Sequence, residues 1–356
     1  MANEPTAQQL LDNIEARYRF RFAGHPRVSR DPEVMEELIA SLDEVAGADG
    51  GAELSDRIRE ARELYQRERE AIIEARAVPG AVAAYRLRLH AELEVGRYRR
   101  NFAGQARGTR DVHLLEEIRD KLVRVRDEMA STQEAGPHLG LGPAIDDASS
   151  TVELATREAE RIREARYEGS HADQGTRFAQ LANAQFELYQ AGFAGQSRLS
   201  RHPPRLERIV AALEEIGAGM ARLQRAGFDS ENNDRNLKIV TERLAAYRKE
   251  VGAMAESRAE VSVEDRVNAL GGSANQIFEA YREAFAGKNR ASVDPLRLDA
   301  LFEQLYAVAQ EMDEIERDED NDTNERNLAL VLDQLTMYQR EWAAIQEARV
   351  AARSDA

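Results

Sequence analysis

The chain has 356 residues, 42% hydrophobic and 6% aromatic, and a formal net charge of −16. That length permits two or three ordinary domains or an array of smaller units, and the acidity argues against nucleic acid and anionic membranes as partners. The lack of cysteine excludes disulfides, thiolate nucleophiles and Cys-ligated metal sites.

Ala, Glu, Arg and Leu dominate and Pro is scarce, which favours helix throughout. The start, MANEPTAQQLL, shows no basic segment leading into an apolar one, so no secretory signal is expected. No apolar run approaches the roughly 20 residues a membrane helix needs. The expectation is a soluble, cytoplasmic protein without membrane insertion.

One pattern occurs four times, Tyr-x-x-x-Phe-Ala-Gly-x-x-Arg, starting at Tyr18, Tyr98, Tyr189 and Tyr281. A hydroxyl residue follows each Arg by two: Ser29, Thr109, Ser200 and Ser292. Four copies of so long a match mean internal repeats. Aligned on this box, each unit resolves into three predicted helices, A, B and C. Helix A ends in the box. Its apolar positions, for instance Leu270, Ala274, Ile277, Phe278 and Phe285, form one face of a 3.6-residue helix. The box Tyr and Phe therefore point into a core. The glycine that follows (Gly24, Gly104, Gly195, Gly287) sits where a left-handed residue ends a helix.

Helix B starts at Asp31-Pro32 and Asp294-Pro295, an N-cap residue followed by proline at the first helical position. His202-Pro203 and Asp111-Val112 stand there in the other two units. The stripe Leu298, Leu301, Phe302, Leu305, Val308, Met312, Ile315 matches Leu206, Ile209, Val210, Leu213, Ile216, Met220, Leu223 position by position. Leu115, Ile118, Leu122, Val125, Met129 and Met35, Leu38, Ile39, Leu42, Val45 are the shorter versions. Helix C closes each unit with Glu-Ala-Arg or Glu-Ser-Arg at Arg76, Arg166, Arg258 and Arg349, and its stripe includes Tyr247, Tyr338 and Trp342.

The units end just past these arginines, which gives three-helix repeats over 1–77, 78–167, 168–259 and 260–353. The expected fold is all-α: four tandem three-helix repeats, about twelve helices, in an elongated helical-bundle array or solenoid. In outline this resembles spectrin-type arrays, although Val78-Pro79-Gly80, Gly169 to Gly175 and the Ser262 cap predict broken joints rather than continuous helices.

In an up-down-up bundle the ends of A and C share a pole. The expected structural pairs are therefore Arg27 with Glu74, Arg107 with Glu164, Arg198 with Glu256, and Arg290 with Glu347. A second reading makes the same arginines, with Arg30, Arg110 and Arg201, an anion- or partner-binding loop at a helix start. His25, Gln105, Gln196 and Lys288 would assist, and Arg17, Arg19, Arg21, Arg97, Arg99 and Arg100 make that pole basic. The opposite pole is acidic in unit four, from Asp313 to Asp322.

No metal or cofactor is expected. Asp318, Asp320, Asp322 and Asn324 fall at EF-hand positions 1, 3, 5 and 7, but Thr323 replaces the loop glycine and Ala329 the final glutamate. The six histidines lack any zinc-type spacing. No catalytic residue stands out. The expectation is a non-enzymatic scaffold or adaptor for a partner protein of unknown identity, with homo-oligomerisation possible through its charged poles. The alternative is binding of an anion, polyphosphate or nucleic acid through the four Arg loops.

Overall fold

The computed structural model describes residues 5–22, 26–48, 51–102, 107–195, 197–228, 230–319 and 321–354. Each of the nine prolines lies in a loop, a short 3-10 turn or the first turn of a helix, so nothing interrupts the helix-forming runs. Among the described residues the result is all-α, with twelve α-helices. They are α1 (Ala7–Phe22), α2 (Pro32–Gly47), α3 (Ser55–Ala77), α4 (Ala81–Phe102), α5 (Val112–Ala135) and α6 (Gly142–Arg166). Then follow α7 (His171–Gly192), α8 (Pro203–Arg225), α9 (Glu231–Ala259), α10 (Val263–Phe285), α11 (Pro295–Asp318) and α12 (Asp322–Ser354).

The predicted punctuation is local chemistry and is present. Asp31 and Asp294 accept from the backbone of Glu33 and Leu296, with proline next in line. Ser262 caps α10 through the Asp265 amide. Asp111 accepts from the amides of His113 and Leu114. Gly195 and Gly287 take positive φ, 75° and 72°, as the helix stop requires. Gly24 and Gly104 lie outside the described residues. Helix gives way at 78–80, with Gly80 at φ 79°, and again at 167–170 and 260–262.

The chain forms two compact units. One contains the residues up to His90 together with Val125–Ile145; the other contains Ala91–Arg124 and everything from Asp146 onward. The division falls within α4, α5 and α6.

In the first unit α2 packs against both α1 and α3. The core combines Leu11, Phe22, Met35, Leu38, Leu42 and Ile72, all essentially inaccessible, with Tyr65. In the second unit α8 packs on α7 and α9, and α11 on α10 and α12. Around α8 the core is Phe178, Phe193, Leu206, Ile209, Leu213 and Met220. The helix B stripes are buried at nearly every predicted position; Ile39, Val125 and Val210 are half-buried. Trp342 departs from its expected place in the core. It is half-buried, because its indole N–H donates to Asp299 Oδ2 at 3.2 Å.

The loop before each later helix C is held by a buried asparagine. Asn233 Nδ2 donates to the Met220 carbonyl at 3.2 Å, and Asn324 Nδ2 to the Met312 carbonyl at 2.8 Å. Met220 and Met312 are matched positions of the B stripe, so the two clamps correspond.

Candidate functional site

At each box the phenylalanine (Phe22, Phe102, Phe193, Phe285) is buried, and the tyrosine lies stacked on it with ring centroids 5.4 to 5.8 Å apart. A tyrosine from the third helix covers the other side in three cases. Tyr18 stacks on Tyr65 at 4.5 Å, Tyr189 on Tyr247 at 3.9 Å and Tyr281 on Tyr338 at 4.5 Å. Ala155 takes the corresponding place in α6. Burial raises the pKa of Tyr65 to about 12, with the carboxylate of Glu15 adding to it. The box aromatics thus belong to the packing, as the periodicity predicts.

The chain then makes a single 3-10 turn that begins at the box arginine: Arg27–Ser29, Arg107–Thr109, Arg198–Ser200 and Arg290–Ser292. Ser29 and Ser292 close it by donating to the carbonyls of Pro26 and Asn289, each at 2.8 Å. From the turn the guanidinium reaches a glutamate. Arg27 bonds Glu68 at 2.9 Å, Arg107 bonds Glu158 at 2.9 Å, Arg198 bonds Glu250 at 3.1 Å and Arg290 bonds Glu341 at 2.8 Å. Arg30 and Arg110 join the same carboxylates, at 2.7 and 2.5 Å from Glu68 and Glu158, and Arg201 joins Glu250.

The expected partners Glu74, Glu164, Glu256 and Glu347 are displaced by glutamates six positions earlier in every case. Helix C runs on past the turn, and six residues correspond to about 9 Å along the axis and about 120° around it. Glu74 and Glu256 act on Arg27 and Arg198 only as more distant charges. The end of helix C has a different task. Arg76 donates to the carbonyls of Val28 and Arg30 at 3.4 Å, Arg166 to that of Arg110 at 3.1 Å, and Arg258 to that of Arg201 at 2.6 Å. The first three turns are therefore each gripped twice, by α3, α6 and α9. The pairing keeps Glu68 and Glu250 below the usual carboxylate range, chiefly through the hydrogen bonds from Arg27 and Arg198.

In the second unit the arginines that end α6 and α9 also reach the next B helix. Arg166 pairs with Glu215 of α8, and Arg258 with Glu311 of α11 at 2.6 Å. Glu215 is also met by His113 at 2.8 Å. Burial pushes its pKa up, but the His113 hydrogen bond and the charges of Arg166 and Arg163 prevail and hold it at about 2. Buried Glu311 receives His202 Nδ1 at 2.6 Å on its other oxygen. This explains why His202 stands where the other B helices carry an aspartate cap.

A larger ionic cluster lies beneath. Arg97 is not part of a basic surface: its side chain is 1% exposed and pairs with Glu94, Glu117 and Glu303 at 2.9, 3.2 and 3.0 Å. Arg208 bonds Glu117 at 2.5 Å, Lys121 bonds it at 3.0 Å, and Tyr306 donates to Glu94. Burial opposes ionisation of Glu303, but Arg97 holds its pKa at about 2; at Glu94 burial wins and the pKa rises. Arg100 is buried beside Asp299, which burial lifts to about 6 against the pull of Arg100. Helical periodicity does not reveal this cluster. Its only trace is charge at positions that adjoin apolar stripes, as with Glu117 beside Ile118 and Glu311 beside Met312.

Among the described residues no group of three or more His, Cys, Asp or Glu is placed to hold a metal ion. In the acidic loop Asn324 turns inward as the clamp on Met312, and Asp320 lies outside the described residues. His25, Gln105 and Gln196 are likewise outside them; exposed Lys288 donates to the Glu283 carbonyl at 2.7 Å. No described helix is long and apolar enough to cross a membrane. No protein-family model matches the chain, and no curated protein or solved structure matches it either.

Proposed function

We propose that the chain is a non-enzymatic scaffold or adaptor, built of four three-helix repeats over 1–77, 78–167, 168–259 and 260–353. It presents extended helical surfaces to a partner protein, self-associates through its charged faces, and works in the cytoplasm. One observation carries the reading. The four box arginines, the best ligand-binding candidates in the sequence, each engage a glutamate of the same chain at 2.8 to 3.1 Å. A turn tied in this way braces a repeat. An anion, polyphosphate or nucleic acid would have to displace that carboxylate four times, which makes this alternative the weaker one.

Affinity purification of the intact chain from native cell extract, followed by sedimentation analysis, tests the proposal. A stoichiometric protein complex is expected. Co-purifying nucleic acid or polyphosphate, lost on Arg27→Ala, Arg107→Ala, Arg198→Ala and Arg290→Ala in a chain that stays folded, would replace the scaffold with the anion reading.

A further inference from the structure

Within the second unit, the first turn of α8 borders a cleft of about 360 Å³, closed by the end of α7 and by α10 and α11. Its basic lining residues are Arg201, His202 and Arg205; among the described residues no aspartate or glutamate lines it. Two of these three side chains are satisfied from outside the cleft, Arg201 by Glu250 and His202 by Glu311. Arg205 is different. It is 7% exposed, and among the described residues its side chain has neither a hydrogen bond nor an ion pair; its Nε is buried without a partner.

The guanidinium itself reaches the cleft wall. A Cβ on Gly192, which also lines the cleft, would lie 3.1 Å from Arg205 Cζ, so the bare glycine makes room for that group. On its far side Arg205 adjoins the ionic cluster, which supplies Arg97, Arg208 and Lys121 against Glu94, Glu117 and Glu303. Those three basic and three acidic side chains already pair with one another, which leaves Arg205 without a carboxylate of its own. Burial, and then the neighbouring Arg208, lower its pKa to about 10, which leaves it protonated at neutral pH.

The repeat does not require an arginine here. The positions that match Arg205 in the other B helices are Val34, Leu114 and an exposed Arg297. A buried, protonated and unpartnered guanidinium is costly to maintain without an anion. The positive end of the 23-residue helix α8 faces the same way, and a cleft of this size matches small-molecule sites.

We infer that this cleft binds a small organic anion, its carboxylate or phosphate paired with Arg205 and its apolar body against Ile277, Ala280 and Ala307. Ser273 and Gln276 supply neutral polar groups on the α10 side. The inference is independent of the scaffold reading, since Arg205 belongs to no box.

Calorimetric titration of the full chain tests it, with phenyl phosphate and benzoate as probes and benzyl alcohol as the neutral control. Saturable one-to-one binding of at least one anion is expected, with none for benzyl alcohol. Arg205→Met should weaken binding at least about tenfold, yet leave the unliganded melting temperature unchanged or higher, because it removes an unpaired buried charge. Ser273→Trp keeps Arg205 and fills the cleft from α10, and should also remove binding; it decides the matter if Arg205→Met does not fold. Failure of both anions to bind, or binding that survives both substitutions, would overturn the assignment.

Discussion

At three of the four turns one carboxylate serves two arginines: Glu68, Glu158 and Glu250 each hold the box arginine and the one three positions later. At the fourth, Val293 takes the second place and Glu341 holds Arg290. The box arginines are about half-exposed, so solvent screens their pairs and each adds little to stability. The shared glutamates are mostly buried. Arg27→Ala should therefore be close to neutral, whereas Glu68→Gln should cost about 2 kcal/mol because it strands two cations. Urea denaturation of both variants measures the difference; equal losses would show that Arg30 contributes nothing. Glu215 adds a pH dependence. With its pKa held at about 2, its stabilisation is complete above the unfolded value of about 4.3 and is lost as pH falls toward 2. Glu215→Gln should cost roughly 3 kcal/mol at neutral pH, a gap that closes between about pH 4.5 and pH 2 in denaturant titrations.

At the scale of the element, two glycines inside helices make opposite predictions. A Cβ on Gly219 of α8 would run into the ring of Phe178, a fully buried core residue that cannot yield. The nearest atoms to a Cβ on Gly96 of α4 would be the amide end of Gln339, a flexible side chain. Alanine gains about 1 kcal/mol over glycine in a helix interior. Gly96→Ala should thus be neutral or raise the melting temperature, whereas Gly219→Ala should lower stability by about 1–3 kcal/mol despite the better propensity. The helices themselves were legible because burial of one face leaves a 3.6-residue trace, and α8 and α11 carried it almost without error. The braces were legible only as far as the arginine. A helix with several glutamates on its solvent side gives no periodic mark of which one faces a neighbouring turn, so the sequence does not separate Glu68 from Glu74. Arg97 and Glu117 were harder still. Charge that is neutralised by residues some 200 positions away, as Arg97 is by Glu303, reads locally as a solvated face.

For the whole molecule, the net charge of −16 coexists with a buried cluster in which Arg97 touches three carboxylates. Arg97→Met would leave those carboxylates facing one another without their main cation. It should cost about 3–5 kcal/mol, read as a lower denaturation midpoint of the second unit. Self-association through charged faces makes a separate prediction. Sedimentation velocity should show the average mass falling as salt rises to about 0.5 M, where screening acts within a few ångströms. A monomer at low salt and high concentration would remove self-association from the proposed function.

Trp342 is the chain's one tryptophan, and its indole N–H rests on Asp299, a carboxyl lifted to about 6. All tryptophan emission therefore originates at one hydrogen bond whose acceptor changes charge just below neutrality. The protein carries its own optical gauge there, and its fluorescence should step in intensity near pH 6 while the fold stays intact. Asp299→Asn should abolish that step, and anyone who follows unfolding by emission across this range will need to separate the titration from the transition.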